Sequence, residues 1–289
     1  MKKKIIYISR SSSGSFAPEN LLSVNMSKMG YEVIKINCEK ISYKDMHNTI
    51  YSNTDAICCF TYGRGCFPTL SDIIKGLQIP KIIWMPSIIT GSEQAQRTVK
   101  ECLICYDTVY TCLPTEIPLY KKLGVIAKPL FAAVDEDIFK PLNLKKDISI
   151  GFLGRIHYES RKKLLTHIIQ RYKVFTGYSE TEYVDLINRT EINLNVGFFN
   201  FGLPNRVFDV LACGGFLLSH KYIGVDNIFE DGKHLSYFTY DDLYDKIEYY
   251  MNNPDERVKI GEQGRQEVLA KHTYKHRIKT ILEDLGIYE

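Results

Sequence analysis

NVGFFNFGLPNRVFDVLACGGFLLS, running from Asn195 to Ser219, is the stretch that decides how the rest of the chain is read. It opens on the end of an apolar strand, Ile192-Asn193-Leu194-Asn195-Val196. A loop rich in Gly and Phe follows, through Gly197 and Gly202. Pro204 stands where a helix can begin, because its fixed φ and missing N–H suit a first turn. Val207, Phe208, Val210 and Leu211 give that helix an apolar face, Gly214-Gly215 stops it, and Phe216-Leu217-Leu218 reads as the next buried strand. Strand, glycine loop, helix N-terminus and strand is the order in which a doubly wound α/β domain presents backbone N–H groups to a phosphate. Gly202, Pro204 and Asn205 lie at that helix start. Arg206 can offer a planar fork to a phosphate. Asp209, one turn in, can accept hydrogen bonds from a sugar diol.

These residues also carry a family resemblance. RVFDVLACGGFLL resembles the nucleotide-binding segment of the GT-B glycosyltransferases, and in particular their CgeB-like (spore-maturation protein B-like) branch, whose pattern is roughly R-x-F-E-x-x-A-C-G-x-F-L. The stretch GKHLSYFTYDDLYDKIEYYMNNPDERVKIGEQGRQEVLAKHTYKHRI is similar to that branch as well. The likeness is strong from about Ile148 to Ile278 and weaker before. One departure is plain: the usual Glu is Asp209, one methylene shorter, which alters the reach to a ribose. The resemblance implies an α/β fold of two Rossmann-like domains facing across a cleft. Residues 1–142 would form the acceptor-side domain, 143–272 the nucleotide-sugar domain, and 273–289 a C-terminal helix packing back on the first. It implies transfer of a sugar from a nucleotide-diphosphate sugar, a UDP-sugar first among them, with retention and without a metal. The acceptor stays open: glycan, protein, small molecule or modified DNA.

Composition sets the bounds. A chain of 289 residues makes one large domain or two of ordinary size, and 45% hydrophobic with 25% charged residues is the balance of a globular protein with a sizeable core. Net charge of +3 is too small to argue for nucleic acid. The start, MKKKIIYIS, has an apolar run too short for a signal peptide and reads as a first strand. No stretch approaches a membrane-spanning length. The eight cysteines are scattered, many in apolar runs such as Ala56-Ile57-Cys58-Cys59-Phe60, which fits buried thiols in a reducing cytosol and not a disulfide framework. Cys102-x-x-Cys105 has a redox spacing but apolar neighbours, so small buried hydrophobes are the plainer reading.

Strand and helix signals alternate along the chain, which argues for parallel sheets covered by helices. Strands are expected at Lys4–Ser9, Tyr31–Asn37, Asp55–Phe60, Lys81–Met85, Thr108–Cys112 and Gly124–Lys128. Helices are expected at Ala17–Met29, Tyr43–Tyr51, Thr69–Leu77, Glu93–Leu103 and Glu116–Leu123. Ala132–Leu142 reads as a linker. A second series follows, with strands Ile148–Leu153, Lys173–Phe175 and Ile192–Val196 and helices Ser160–Gln170 and Thr181–Leu186. After the central helix, Asp241–Met251 and Asp255–Ala270 are amphipathic with an Asp or Asn cap expected at each start. Tyr274–Leu285 closes the chain as a helix.

Further candidates lie at strand ends. Gly151-Phe152-Leu153-Gly154-Arg155 closes the first strand of the second half, where open sheets bind ligands. Gly154 lets a diphosphate approach the backbone, and Arg155 would neutralise it. The family pattern places an Arg at Arg161, ahead of Lys162 and Lys163, which read as a solvated helix face. Arg155 and Arg161 are thus the candidate catalytic pair. Ser13 with Gly14, and Gly63 with Arg64, follow the first and third strands of the first half and are candidate acceptor-side loops. Asp135-Glu136-Asp137 matches a metal-binding D-x-D, but an N-cap with an acidic first turn explains it. The histidines show no metal spacing. Two other functions stay open on sequence: a sugar-nucleotide epimerase on the same plan, and a non-catalytic nucleotide- or DNA-binding module.

Overall fold

The computed structural model describes residues 2–10, 14, 16–63, 69–85, 93–156, 159–177, 179, 181–196, 203–221 and 228–287. The chain divides into two compact units, one of Met1–Phe131 with Tyr274–Glu289, the other of Ala132–Thr273.

The first unit runs β1 (Lys4–Ser9), α1 (Pro18–Lys28), β2 (Glu32–Asn37), α2 (Tyr43–Tyr51), β3 (Cys58–Tyr62), α3 (Thr69–Ile74), β4 (Lys81–Met85), α4 (Glu93–Leu103), β5 (Thr108–Thr111), α5 (Ile117–Lys122) and β6 (Ala127–Pro129). Its strands form one sheet in the order β2-β1-β3-β4-β5-β6, all paired in parallel. Parallel strands covered on both faces read as continuous apolar runs, and every residue of β3 is buried. That strand starts at Cys58 and not at Asp55. Ala56 N–H closes a turn onto the Asn53 carbonyl (3.0 Å), and the Asp55 carboxylate pairs with Lys4 at 2.8 Å.

The second unit contains β7 (Ile148–Leu153), α6 (Glu159–Arg171), β8 (Val174–Gly177), α7 (Tyr183–Arg189), β9 (Thr190–Asn195), α8 (Asn205–Ala212), β10 (Leu217–His220), β11 (Ser236–Phe238), α9 (Leu243–Asn252) and α10 (Pro254–Lys271). Its sheet is β11-β10-β9-β7-β8, again all parallel. Strand β11 has no counterpart in the sequence reading, because three residues are too few to show a period. It pairs Leu218 with Ser236. Residues 132–142, read as a linker, belong to this unit. Phe139 is buried against Tyr183, edge to face at 6.0 Å, and the Leu142 N–H donates to Asn188 Oδ1 at 2.8 Å. Asp242 and Asn253 precede α9 and α10, but neither makes a side-chain capping bond.

Helix α11 (Tyr274–Asp284) belongs to the first unit. There Asp284 accepts from Tyr110 Oη at 2.8 Å and pairs with Lys128 at 2.9 Å, while Arg277 Nε donates to the Phe131 carbonyl at 2.9 Å. Among the described residues no helix is long and apolar enough to cross a membrane.

What fixes the site is the anchoring of α8. Val207, Phe208, Val210 and Leu211 are wholly buried, each contributing about 1.5–3 kcal/mol relative to exposure. The helix ends as its glycines require: Gly214 takes φ +67, and the N–H groups of Gly214 and Gly215 return to the carbonyls of Leu211 and Val210. Helix α10 lies against that end. A Cβ on Gly261 would collide with the Gly214 carbonyl, and Arg265 Nη1 donates to the Ala212 carbonyl. With its body held on two sides, α8 has a fixed N-terminus.

Candidate functional site

In each sheet the chain leaves its first strand in both directions: β1 lies between β2 and β3, and β7 between β8 and β9. At such a switch point the loops diverge from the carboxyl ends of the strands and leave a crevice. In the second unit that crevice faces the start of α8. Pro204 is the N-cap, extended at φ −70 and ψ 155, with no side-chain capping bond and no acidic residue in the first turn. Among the described residues, then, neither a side-chain cap nor a first-turn carboxylate offsets the positive end of the helix.

Arg206 is the centre of this region. Its guanidinium lies over the Phe152 ring, Cζ 4.6 Å from the centroid, and Nη1 donates to Asn195 Oδ1 at 3.1 Å. Gly154 makes room for it, since a Cβ at 154 would collide with Arg206 Nη2. Nε is buried without a hydrogen-bond partner. Among the described residues Arg206 makes no ion pair. A half-buried cation with an unused N–H and, among the described residues, a neutral acceptor as its only polar partner favours an anion beside it.

Arg161 flanks the same ring from the other element, Cζ 5.4 Å from the Phe152 centroid. Its Nε donates to the Val196 carbonyl at 2.9 Å and its Nη1 to the Arg155 carbonyl at 2.7 Å. It ties the loop after β7 to the end of β9. The expected pair is thus rearranged: Arg161 shares Phe152 with Arg206, whereas Arg155 contributes its carbonyl. The Arg155 side chain is exposed and makes no hydrogen bond or ion pair among the described residues. Lys162 and Lys163 are exposed on α6, as a solvated face requires.

Asp209 is buried one turn into α8 and accepts from Tyr183 Oη at 3.3 Å. Burial pushes its carboxyl up to about 8, against the opposing pull of the Tyr183 bond and the Arg206 charge. Burial thus favours the neutral carboxyl, and a sugar diol would meet a group with one oxygen already used by tyrosine. Asn205 is half-buried at the first position of α8.

The other candidates fall into place singly. The Gly14 carbonyl accepts from Ala17 N–H and Asn20 Nδ2, both at 3.2 Å, as the turn leading into α1. Gly63 sits at φ +78 after β3, its N–H donating to the Trp84 carbonyl at 2.9 Å. Ser13, Arg64 and Gly202 lie outside the described residues. Asp135 is fully buried and its Oδ1 accepts the Asp137 N–H at 3.0 Å, the turn geometry that explains the D-x-D. Among the described residues no three His, Cys, Asp or Glu side chains cluster as metal ligands. Cys102 and Cys105 are free, and burial pushes Cys105 up to about 11, so that spacing carries no reactive thiolate. Cys38 corrects the all-thiol expectation: it is disulfide-bonded.

Four residues of the site escaped the sequence reading: Phe152, Asn195, Ser219 and Tyr183. A signal existed for two of them. Asn195 and Ser219 are polar residues at the carboxyl ends of strands otherwise buried on both faces, where a polar side chain needs a specific partner. Nothing local marks Phe152 or Tyr183, whose roles come from what packs on them.

Residues 136–283 match the family described as Glycosyl transferase-like. No curated protein matches the chain. The structure is similar to sucrose-phosphate synthase from Thermosynechococcus elongatus, with TM-score 0.70 and 13% identity over 99% of both chains. It is similar to HepE from Anabaena in complex with UDP-glucose, with TM-score 0.69 and 11% identity over 98% of this chain and 99% of that one. A glycosyltransferase from Rickettsia africae aligns with TM-score 0.71 and 12% identity over 99% of this chain and 98% of that one. With the family matched over half of its length and the fold matched over nearly all of it, the chain belongs to the Glycosyl transferase-like family and is a glycosyltransferase of GT-B fold.

Proposed function

We propose that this enzyme moves a sugar from a UDP-sugar to an acceptor hydroxyl, with retention and without a metal, as a member of the CgeB-like branch. The observation that carries the donor side is Arg206, a half-buried guanidinium without an ion pair among the described residues, at the uncapped N-terminus of α8. HepE, similar in fold, is known in complex with UDP-glucose, which supports UDP as the carrier.

In this reading the bond between the anomeric carbon and the β-phosphate oxygen breaks, the acceptor oxygen forms the new bond, and the acceptor proton passes to the departing diphosphate. Negative charge gathers on the departing diphosphate. Arg206 and the α8 N-terminus meet that charge, and Arg161 holds the strand ends beside it while adding its own. Groups that stabilise the leaving diphosphate more than the bound donor lower the barrier. Gly154, Pro204 and Asn205 form the wall of the donor site, and Asp209 contacts the ribose. Arg155, exposed at the rim, meets the diphosphate only if its side chain swings inward. Gly14 and Gly63 belong to the acceptor side.

The test is a panel of nucleotide sugars with released nucleoside diphosphate as the readout. UDP-sugars are expected to turn over in the presence of acceptor, and a chelator is expected to leave the rate unchanged. Loss of turnover with a chelator, restored by magnesium or manganese, would overturn the metal-free reading. The anomeric configuration of the product, read by NMR, decides retention.

A further inference from the structure

Asn195 is wholly buried at the end of β9, beside Ser219 on β10. Its amide has one allowed orientation. Ser219 Oγ donates to the His220 carbonyl at 3.0 Å, a group that can only accept. With its one proton spent, Ser219 Oγ accepts from Asn195 Nδ2 at 2.9 Å. That leaves Asn195 Oδ1 facing Arg206 Nη1, at 3.1 Å. A backbone carbonyl of β10 thereby sets the direction of the whole line, from strand to serine to amide to guanidinium.

We propose that Asn195, oriented by Ser219, is a positioning residue that aims Arg206 at the donor diphosphate while leaving its charge unquenched. The proposal rests on the reading of Arg206 as a diphosphate ligand. An aspartate at 195 would hold the guanidinium at least as firmly, because an ionised acceptor makes the stronger bond. It would also neutralise it, and a paired arginine attracts a phosphate far less. The neutral amide separates the two effects: it supplies geometry without a competing negative charge. Phe152 and Gly154 complete the arrangement with a ring face and bare backbone, neither of which carries a neutralising charge.

The experiment titrates UDP and uridine, by calorimetry or NMR, into the full-length protein and its Asn195→Asp, Ser219→Ala and Arg206→Ala variants. Uridine lacks the diphosphate and reports the shape of the rest of the site. Asn195→Asp and Arg206→Ala are each expected to lose about tenfold or more in UDP affinity, with uridine unchanged to within about twofold. Ser219→Ala, which frees the amide to turn, is expected to lose about threefold for UDP alone. If Arg206→Ala is defective but Asn195→Asp binds UDP like the parent, the positioning role is overturned and the donor site stands. Equal weakening of UDP and uridine in Asn195→Asp would reduce Asn195 to a prop for the strand ends and overturn the proposal. Unchanged UDP binding in Arg206→Ala would remove the donor reading and this inference together. Should Asn195→Asp fail to fold, Ser219→Ala decides alone, and unchanged UDP affinity there overturns the relay.

Discussion

The two sheets offer the same crevice twice, and the arginines described beside them have different partners. At the carboxyl end of β1, Arg10 is exposed and its Nε pairs with Glu39 Oε1 at 2.8 Å. At the carboxyl end of β7, Arg206 is half-buried on Phe152 and bonded to a neutral amide. The glycines differ in the same sense. Gly63 meets nothing where a Cβ would stand and is required by its φ of +78, whereas Gly154 is required because a guanidinium occupies the space beside it. Topology therefore provides the crevice, and the partner of the arginine decides what the crevice can bind. An arginine paired with a carboxylate is a surface ion pair of small consequence. One oriented by an amide keeps its charge for a ligand.

This contrast can be broken first at Arg161. Arg161→Ala is expected to lower kcat by about 10²–10³ while the donor KM rises less, since it removes both a charge and the tie between two strand ends. Arg161→Lys should restore only part, because a point charge cannot bond two carbonyls in fixed directions. Lys162→Ala is the control on the same helix, and a loss there as large as at Arg161 would contradict the orientation of α6.

Next comes the pair of arginines at the two crevices. Arg206→Ala should weaken UDP by about 10- to 100-fold, the worth of a hydrogen bond to a charged group, while Arg10→Ala should leave UDP affinity unchanged. Calorimetry on the two variants side by side measures it, and equal losses would erase the distinction between the crevices.

A subtler break uses Gly154. Alanine there forces Arg206 to move, and because the obstructing atom is the end of a flexible side chain the protein should still fold. UDP affinity should drop by about tenfold with little change in melting temperature. A large fall in stability without a change in affinity would mean that Gly154 serves the backbone and not the arginine.

Asp209 gives a pH signature. Its folded-state carboxyl, pushed to about 8 from an ordinary 3.8, binds a proton that the unfolded chain has already lost across that window. Stability from this group is fully present below pH 4 and is lost as pH rises toward 8, at about 1.4 kcal/mol per pH unit. Asp209→Asn should flatten that slope in denaturant unfolding between pH 5 and 8. An unchanged slope would show that the carboxyl is ionised in the native protein.

The smallest effect belongs to the first crevice. Gly63→Ala should cost about 1 kcal/mol in stability through its positive φ and leave UDP affinity untouched.

Much of the architecture was legible along the chain because strand and helix periods are local. The apolar runs at Lys4–Ser9, Lys81–Met85 and Ile148–Leu153 stand where they were expected, as does the helix Tyr43–Tyr51. The stop at Gly214-Gly215 is local too, since it depends on a φ that glycine adopts without a Cβ. Strand β11 was not legible, because three residues acquire strand geometry only from the β10 edge beside them.

The candidate site divides the same way. Arg206, Asp209 and the start of α8 could be named from one segment, since Pro204 and the apolar face of the helix set their phase. The partners could not. Phe152 lies far from Arg206 in the chain, and although Asn195 and Ser219 flank it in one stretch, Asn195 meets Arg206 and Ser219 meets Asn195 only because β7, β9 and β10 are neighbours in the sheet. The sequence determined which residues carry charge and where a helix could begin. Tertiary structure alone decided that Arg161 faces two carbonyls, that Arg155 is left in solvent, and that Arg206 rests on an amide and a ring, because those contacts join strands whose order no local pattern encodes.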